Sequence, residues 1–136
     1  MSSISTIALS GLNAAARRLA VSASNVANVA STGALPNADG TVPAGAPTAY
    51  APLELVQTAS AGGGTQTAVT TVTPSTTAVS DPQAPFANQD GLVAAPNVDL
   101  SQELVSQMIA SYDFAANAAL MTADNQMTNA LLDIKA

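Results

Sequence analysis

Small and apolar side chains recur at three- and four-residue spacing at both ends of this chain, over Ile4–Val29 and Val105–Ile134. That rhythm marks one face of a helix. The stretch between is rich in Thr, Ser, Ala, Gly and Pro, which punctuate turns and short strands. An apolar helix at each terminus calls for two partners that must meet, in one molecule or between neighbours. The expected fold is mainly α with a small β insertion: two long terminal helices packed as an antiparallel coiled-coil-like pair, plus a β-hairpin domain. The expected division is 1–33 for the N-terminal helix, 34–96 for a β-hairpin or loop domain, and 97–136 for the C-terminal helix.

In the first part, Ser2–Ser31 reads as one helix. Ala8, Leu12, Ala15, Leu19, Ser22, Val26 and Val29 alternate steps of four and three, a coiled-coil-like seam. Gly11 weakens the helix locally but lets another backbone come close. Thr32-Gly33 reads as the stop, with Gly as the C-terminal cap. The last part, Asp99–Lys135, reads as a longer helix. Asp99 suits the N-cap, with Gln102 three residues on. Glu103 and Lys135 suit the two ends of the macrodipole. Its stripe is Val105, Ile109, Tyr112, Ala116, Ala119, Ala123, Met127, Ala130 and Ile134, widened by Leu104, Met108, Leu120 and Leu131. A helix of about 55 Å exceeds a small globule and has to lie against another long helix. The N-terminal helix is the evident partner. Arg17 and Arg18 face a C-terminal helix carrying Asp99, Glu103, Asp113, Asp124 and Asp133, so opposite charge favours the pairing, unless these are ordinary solvated faces.

In the middle, Tyr50–Thr58 reads as a strand that Pro52 places at an edge or bulge. Gly62-Gly63-Gly64 reads as a turn and Thr65–Thr73 as a second, β-branched strand. Thr76–Ser80 reads as a short third strand, and Asp81–Pro96 as irregular. A loose Thr/Ser/Ala linker is the competing reading of the whole segment.

The chain has 136 residues, of which 48% are hydrophobic but only 3% aromatic, namely Tyr50, Phe86, Tyr112 and Phe114. So few large side chains make a thin core that gains stability by oligomerising. Three basic residues and a net charge of −6 cannot neutralise a phosphate backbone, which argues against nucleic acid as a partner. No run is long enough to suggest a membrane span, and no basic and apolar leader opens the sequence. Cysteine and histidine are both lacking. That removes disulfides, thiolate metal sites and Ser–His nucleophile activation. Asp81 and Asp90 flank Phe86 without the spacing of a calcium loop. Gly62-Gly63-Gly64 is not followed by the Lys of a phosphate loop. No catalytic, metal or cofactor residue is expected. Met108, Met121 and Met127 read as adaptable filler. The expected chemistry is assembly, not catalysis.

The segment Ala23-Ser24-Asn25-Val26-Ala27-Asn28-Val29-Ala30-Ser31-Thr32-Gly33 resembles the N-terminal signature of bacterial flagellar rod and hook proteins. Gly91-Leu92-Val93-Ala94-Ala95-Pro96-Asn97-Val98-Asp99 is similar to the "G-Y-V-x-x-P-N-V" segment of FlgC-type rod proteins. Glu103-Leu104-Val105, Met108-Ile109-Ala110-Ser111-Tyr112, Ala115-Ala116-Asn117 and Leu132-Asp133-Ile134 resemble their C-terminal helix. The chain departs from that pattern at Leu92, where the family carries Tyr, and at Asp113-Phe114, where it carries a basic residue and an aromatic. The resemblance implies a structural subunit of the proximal rod of the flagellar basal body, passing torque from the rotor to the distal rod and hook. It implies copies of itself, other rod proteins and the rotor ring base as partners. It also implies export by the flagellar type III apparatus without a cleaved signal, into the periplasmic space, with no membrane insertion. Candidate interface residues are Leu12, Leu19, Asn25, Val26 and Asn28 in the first helix. In the second they are Val105, Ile109, Tyr112, Asn117 and Met127. Asn25, Asn28 and Asn117 are the candidates to set register by hydrogen bonds between helices. The alternatives are a different axial subunit or a secreted helical-dimer binding module.

Overall fold

The computed structural model describes residues 3–37 and 39–135. Ser2, at the expected start of the first helix, lies outside the described residues, as does the Lys135 side chain. The order of elements is α1 (Ser3–Ala27), β1 (Leu53–Ala59), β2 (Thr65–Thr71), β3 (Thr76–Ser80), β4 (Leu92–Pro96) and α2 (Leu100–Lys135). The two helices lie against each other antiparallel. Ser5 meets Asp124 at one end of their contact, and Ser22 and Asn25 meet Glu103 at the other.

α1 stops a turn earlier than its periodicity predicts. Asn28 donates its side-chain amide to the Ser24 carbonyl, 2.9 Å, and Ser31 donates its backbone amide to Asn28, 2.9 Å. These local bonds satisfy carbonyls that a continuing helix would have used. Gly33 is not a left-handed cap. It forms an antiparallel bridge to Ala94, and a Cβ on it would overlap the backbone of Thr48 and Ala49. Glycine is needed there for close approach. α2 starts as expected: the Asp99 carboxylate accepts from the amides of Ser101, 2.8 Å, and Gln102, 3.2 Å.

The middle is ordered structure, not a loose linker. β1 and β2 form a hairpin in register from Leu53↔Thr71 to Ala59↔Thr65. It turns on Gly63 and Gly64, both at φ above +80°, where a side chain would be strained. β3 forms as expected but does not extend that sheet. It pairs instead with β4, from Thr76↔Pro96 to Ser80↔Leu92. The expectation of irregular chain over 81–96 is therefore corrected in its last part. β4 escaped notice because Leu92-Val93-Ala94-Ala95-Pro96 has no alternation. It is an interior strand, with Val93, Ala94 and Pro96 all buried, and such strands read as short apolar runs.

Among the described residues the buried hydrophobic ones are Ala8, Ala14, Ala15, Ala34, Val93, Ala94 and Ala110. Six of the seven are alanines. Many large apolar side chains of the helices lie outside: Leu19, Leu104, Val105, Met108, Ile109, Tyr112, Phe114, Leu120, Met127 and Leu131 are all exposed. This inverts the usual distribution, in which Leu, Ile, Met and Phe fill the core.

Candidate assembly interface

The contact between the helices is made by small and polar groups. α1 presents Ser5, Ala8, Ala15 and Ser22. α2 presents Glu103, Ala110, Asn117 and Asp124. Gly11 faces the Asn117 side chain so closely that a Cβ would overlap it. Ser5 donates its hydroxyl to the buried Asp124 carboxylate. That carboxylate sits beside the first turn of α1, where the positive end of the dipole favours a negative charge. At the other end Ser22 donates to the Glu103 carbonyl, 3.0 Å.

Asn25 is the hub between layers. It is 1% exposed, and its side chain uses both ends. Nδ2 donates to the Leu53 carbonyl, 2.8 Å, and to Glu103 Oε1, 2.6 Å. Oδ1 accepts from the Leu53 amide, 3.0 Å, and the Tyr50 hydroxyl, 3.1 Å. Toward Leu53 the carboxamide offers one donor and one acceptor, as a peptide in a neighbouring strand would. It thereby closes the edge at the start of β1 and ties both helices to the hairpin. The hairpin is held further along by Arg17, which donates to the Thr67 hydroxyl, 3.2 Å. Arg18 bridges Asp113, 3.0 Å, and Gln57, 2.8 Å. Opposite charge thus does join the helices, but the Arg18–Asp113 pair is half exposed and worth at most about 1 kcal/mol. Away from the helices, Asp39 is held below the usual carboxylate range by the Thr41 hydroxyl and then by the Thr41 amide.

The candidate interface residues fall into three groups. Asn25, Asn28 and Asn117 are engaged within the chain. Asn25 bonds across to α2, whereas Asn28 and Asn117 bond carbonyls of their own helices. Leu12 and Val26 are half-buried beside the helix contact. Leu19, Val105, Ile109, Tyr112 and Met127 are exposed, Tyr112 to 70%. The whole expected stripe of α2, from Val105 through Ala116, Ala119, Ala123 and Ala130 to Ile134, faces away from α1. The expectation that this stripe packs on the N-terminal helix is corrected. α1 takes the small-residue face of α2 because Ala and Ser permit close approach while their polar neighbours find partners. The widest apolar stripe is left free.

Two further surfaces escaped the reading of periodicity. One is a groove of about 410 Å³ between the helices, lined by Ala15, Ala16, Leu19, Ala20, Ala23, Ala110, Ser111 and Phe114. It contains no charge and no residue of the hairpin, which covers the other flank through Gln57, Gly64 and Thr65. The other is residues 125–135 of α2, which continue past Asp124 beyond the described start of α1. Alanines between helices look like helix formers in a sequence, so only the pairing of α1 with α2 reveals the groove. Among the described residues no three His, Cys, Asp or Glu side chains cluster as metal ligands, and no helix is long and apolar enough to cross a membrane.

Two family models match the chain and together cover more than half of it. Residues 6–34 match the model described as flagella basal body rod protein. Residues 89–134 match that described as flagellar basal body rod FlgEFG protein C-terminal. The first covers α1 and the turn to Gly33, the second β4 and α2, which are the elements joined in the helix pair and its buried strand. No curated protein matches the chain.

Proposed function

The chain belongs to the flagellar basal-body rod protein family, and from that premise we propose that it is a FlgC-type subunit of the proximal rod, transmitting torque from the rotor ring base to the distal rod and hook. A structural rod subunit needs side surfaces that bind neighbours, and it needs no reaction centre. The observation that carries the proposal is the inversion of the apolar residues: alanine inside the monomer, and Leu, Ile, Met, Tyr and Phe outside on both helices. Each large side chain buried on assembly contributes about 1.5–3 kcal/mol, so a row of them supports strong lateral binding by an otherwise thin monomer.

In this reading the segments 1–33 and 97–136 carry the axial helices α1 and α2, and the domain 34–96 is held outside them. Leu19, Val105, Ile109, Tyr112 and Met127 touch neighbouring subunits. Asn25, Asn28 and Asn117 shape the subunit that presents them. The partners are copies of the chain, other rod proteins and the rotor ring base. The flagellar type III apparatus exports it into the periplasmic space. Repeated contact between two different surfaces, without closure, generates a rod. A second reading, another axial subunit, is favoured by the C-terminal match, whose description names FlgE, FlgF and FlgG.

The test is deletion of the gene followed by imaging of basal bodies. The expected result is an axle arrested at the rotor ring, restored by the intact gene. Normal, motile flagella in the deletion strain would overturn the proposal. Arrest after a complete proximal rod would shift it to the second reading.

A further inference from the structure

We propose that residues 125–135 of one copy lie in the apolar groove between α1 and α2 of a second copy, joining copies head to tail. This rests on the reading of the chain as a self-assembling subunit, and it names the two surfaces that meet.

The donor surface is the end of α2. Beyond the Ser5–Asp124 contact the helix runs on for about 16 Å at 1.5 Å per residue. It carries Met127, Leu131, Leu132 and Ile134, the last exposed to 83%. A helix end bearing that much apolar surface is unstable in water without a covering partner. It cannot reach its own groove, because the groove lies further back along the same unbroken helix, near Ala110 and Phe114.

The acceptor surface fits it in three respects. Its walls are mostly alanine, leaving room for large side chains to enter as knobs between two helices. The groove walls carry no charge, and the donor segment is charged only in its last turn, at Asp133 and Lys135. The charged residues of α1 are Arg17 and Arg18, both turned to the hairpin. Between Leu104 and Leu132, α2 carries Asp113, bound to Arg18, and Asp124, bound to Ser5. The groove is also continuous with the helix contact, since Ala15 and Ala110 belong to both. An incoming helix therefore extends an existing packed seam into a three-helix arrangement. Each copy brings one donor end and one groove, displaced along the helix axis. Such a contact leaves an unused donor at one end and an unused groove at the other, and it grows into a filament wherever the rotation between copies does not close a ring.

The chain contains no cysteine, so an introduced pair reports a single contact. Full-length Ala20→Cys and Leu131→Cys chains are purified separately, checked for native helicity, mixed over a range of concentrations and oxidised. The expected result is a disulfide-linked heterodimer in the mixture that neither chain forms alone. Ala20→Arg, at an exposed groove position, should abolish sedimenting oligomers of the native chain while leaving its melting temperature unchanged. The proposal is overturned if the mixture gives no heterodimer at any concentration, if Leu131→Cys links only to itself, or if Ala20→Arg assembles like the native chain. Those outcomes leave the rod assignment standing. A motile deletion strain would remove the rod assignment and leave a positive cross-link intact.

Discussion

At the scale of single residues, this fold depends on polar groups with every bond made and on glycines where backbones touch. Asn25 serves four partners from a buried position. Asn25→Ala would strand the Leu53 amide and carbonyl and would take one partner each from half-buried Glu103 and from the Tyr50 hydroxyl, which keeps Ser24. Each unsatisfied buried group costs roughly 1–3 kcal/mol, so a loss of about 3 kcal/mol or more is expected in denaturant unfolding. Asn25→Asp keeps the shape but sets a carboxylate against Glu103 and the Leu53 carbonyl. Its folded-state pKa would be raised, so the destabilisation is present above the unfolded pKa and relieved as pH falls. Melting curves at pH 4 and pH 7 should show the smaller deficit at pH 4. The glycines give a contrast of opposite kind. Gly33→Ala drives a Cβ into the backbone of Thr48 and Ala49, which cannot turn aside, and a loss of about 2 kcal/mol or more is expected. Gly11→Ala meets only the end of the Asn117 side chain. That side chain can rotate at the loss of its bond to the Asp113 carbonyl, 2.7 Å. The helix meanwhile gains about 1 kcal/mol in propensity. Thermal melts should find Gly33→Ala much the lower of the two, with Gly11→Ala near the native value.

At the scale of elements, α2 divides its surface between two tasks. Its small and polar face holds α1, and its large apolar stripe is exposed among the described residues. A substitution on the stripe should therefore separate assembly from folding. Val105→Ser with Ile109→Ser removes two large side chains that are already exposed. The monomer should unfold within about 0.5 kcal/mol of the native chain, and rod incorporation should fail in a motility and basal-body assay. Equal loss of monomer stability would show instead that the stripe packs within the chain. The second sheet has the opposite logic. β4 is short but interior, and it links Gly33 after α1 to β3. Ala94→Asp should destabilise the monomer outright, because it puts a charge at a position 1% exposed.

At the scale of the whole molecule, the core is small and the exposed apolar surface large, so the free chain is an incomplete unit. Amide hydrogen exchange should show residues 125–135 unprotected in the isolated chain, because nothing described packs on them, and protected once copies assemble. Protection already complete in the dilute monomer would contradict this. The amino-acid order alone determined the helices, the Asp99 cap, the hairpin across the glycines, the short strand at Thr76–Ser80 and the flagellar rod resemblance at both termini. Those features are local: periodicity, a capping side chain and left-handed turns act over a few neighbouring residues. Tertiary contact alone decided which face of α2 meets α1, that β3 joins β4, that Gly33 is a point of close approach, and that Asn25 binds both helices to the hairpin. Each is a competition between distant groups. The larger apolar stripe lost to the smaller one because only Ala, Ser and Gly let two backbones come close while Asn25, Ser22 and Asp124 keep their hydrogen bonds.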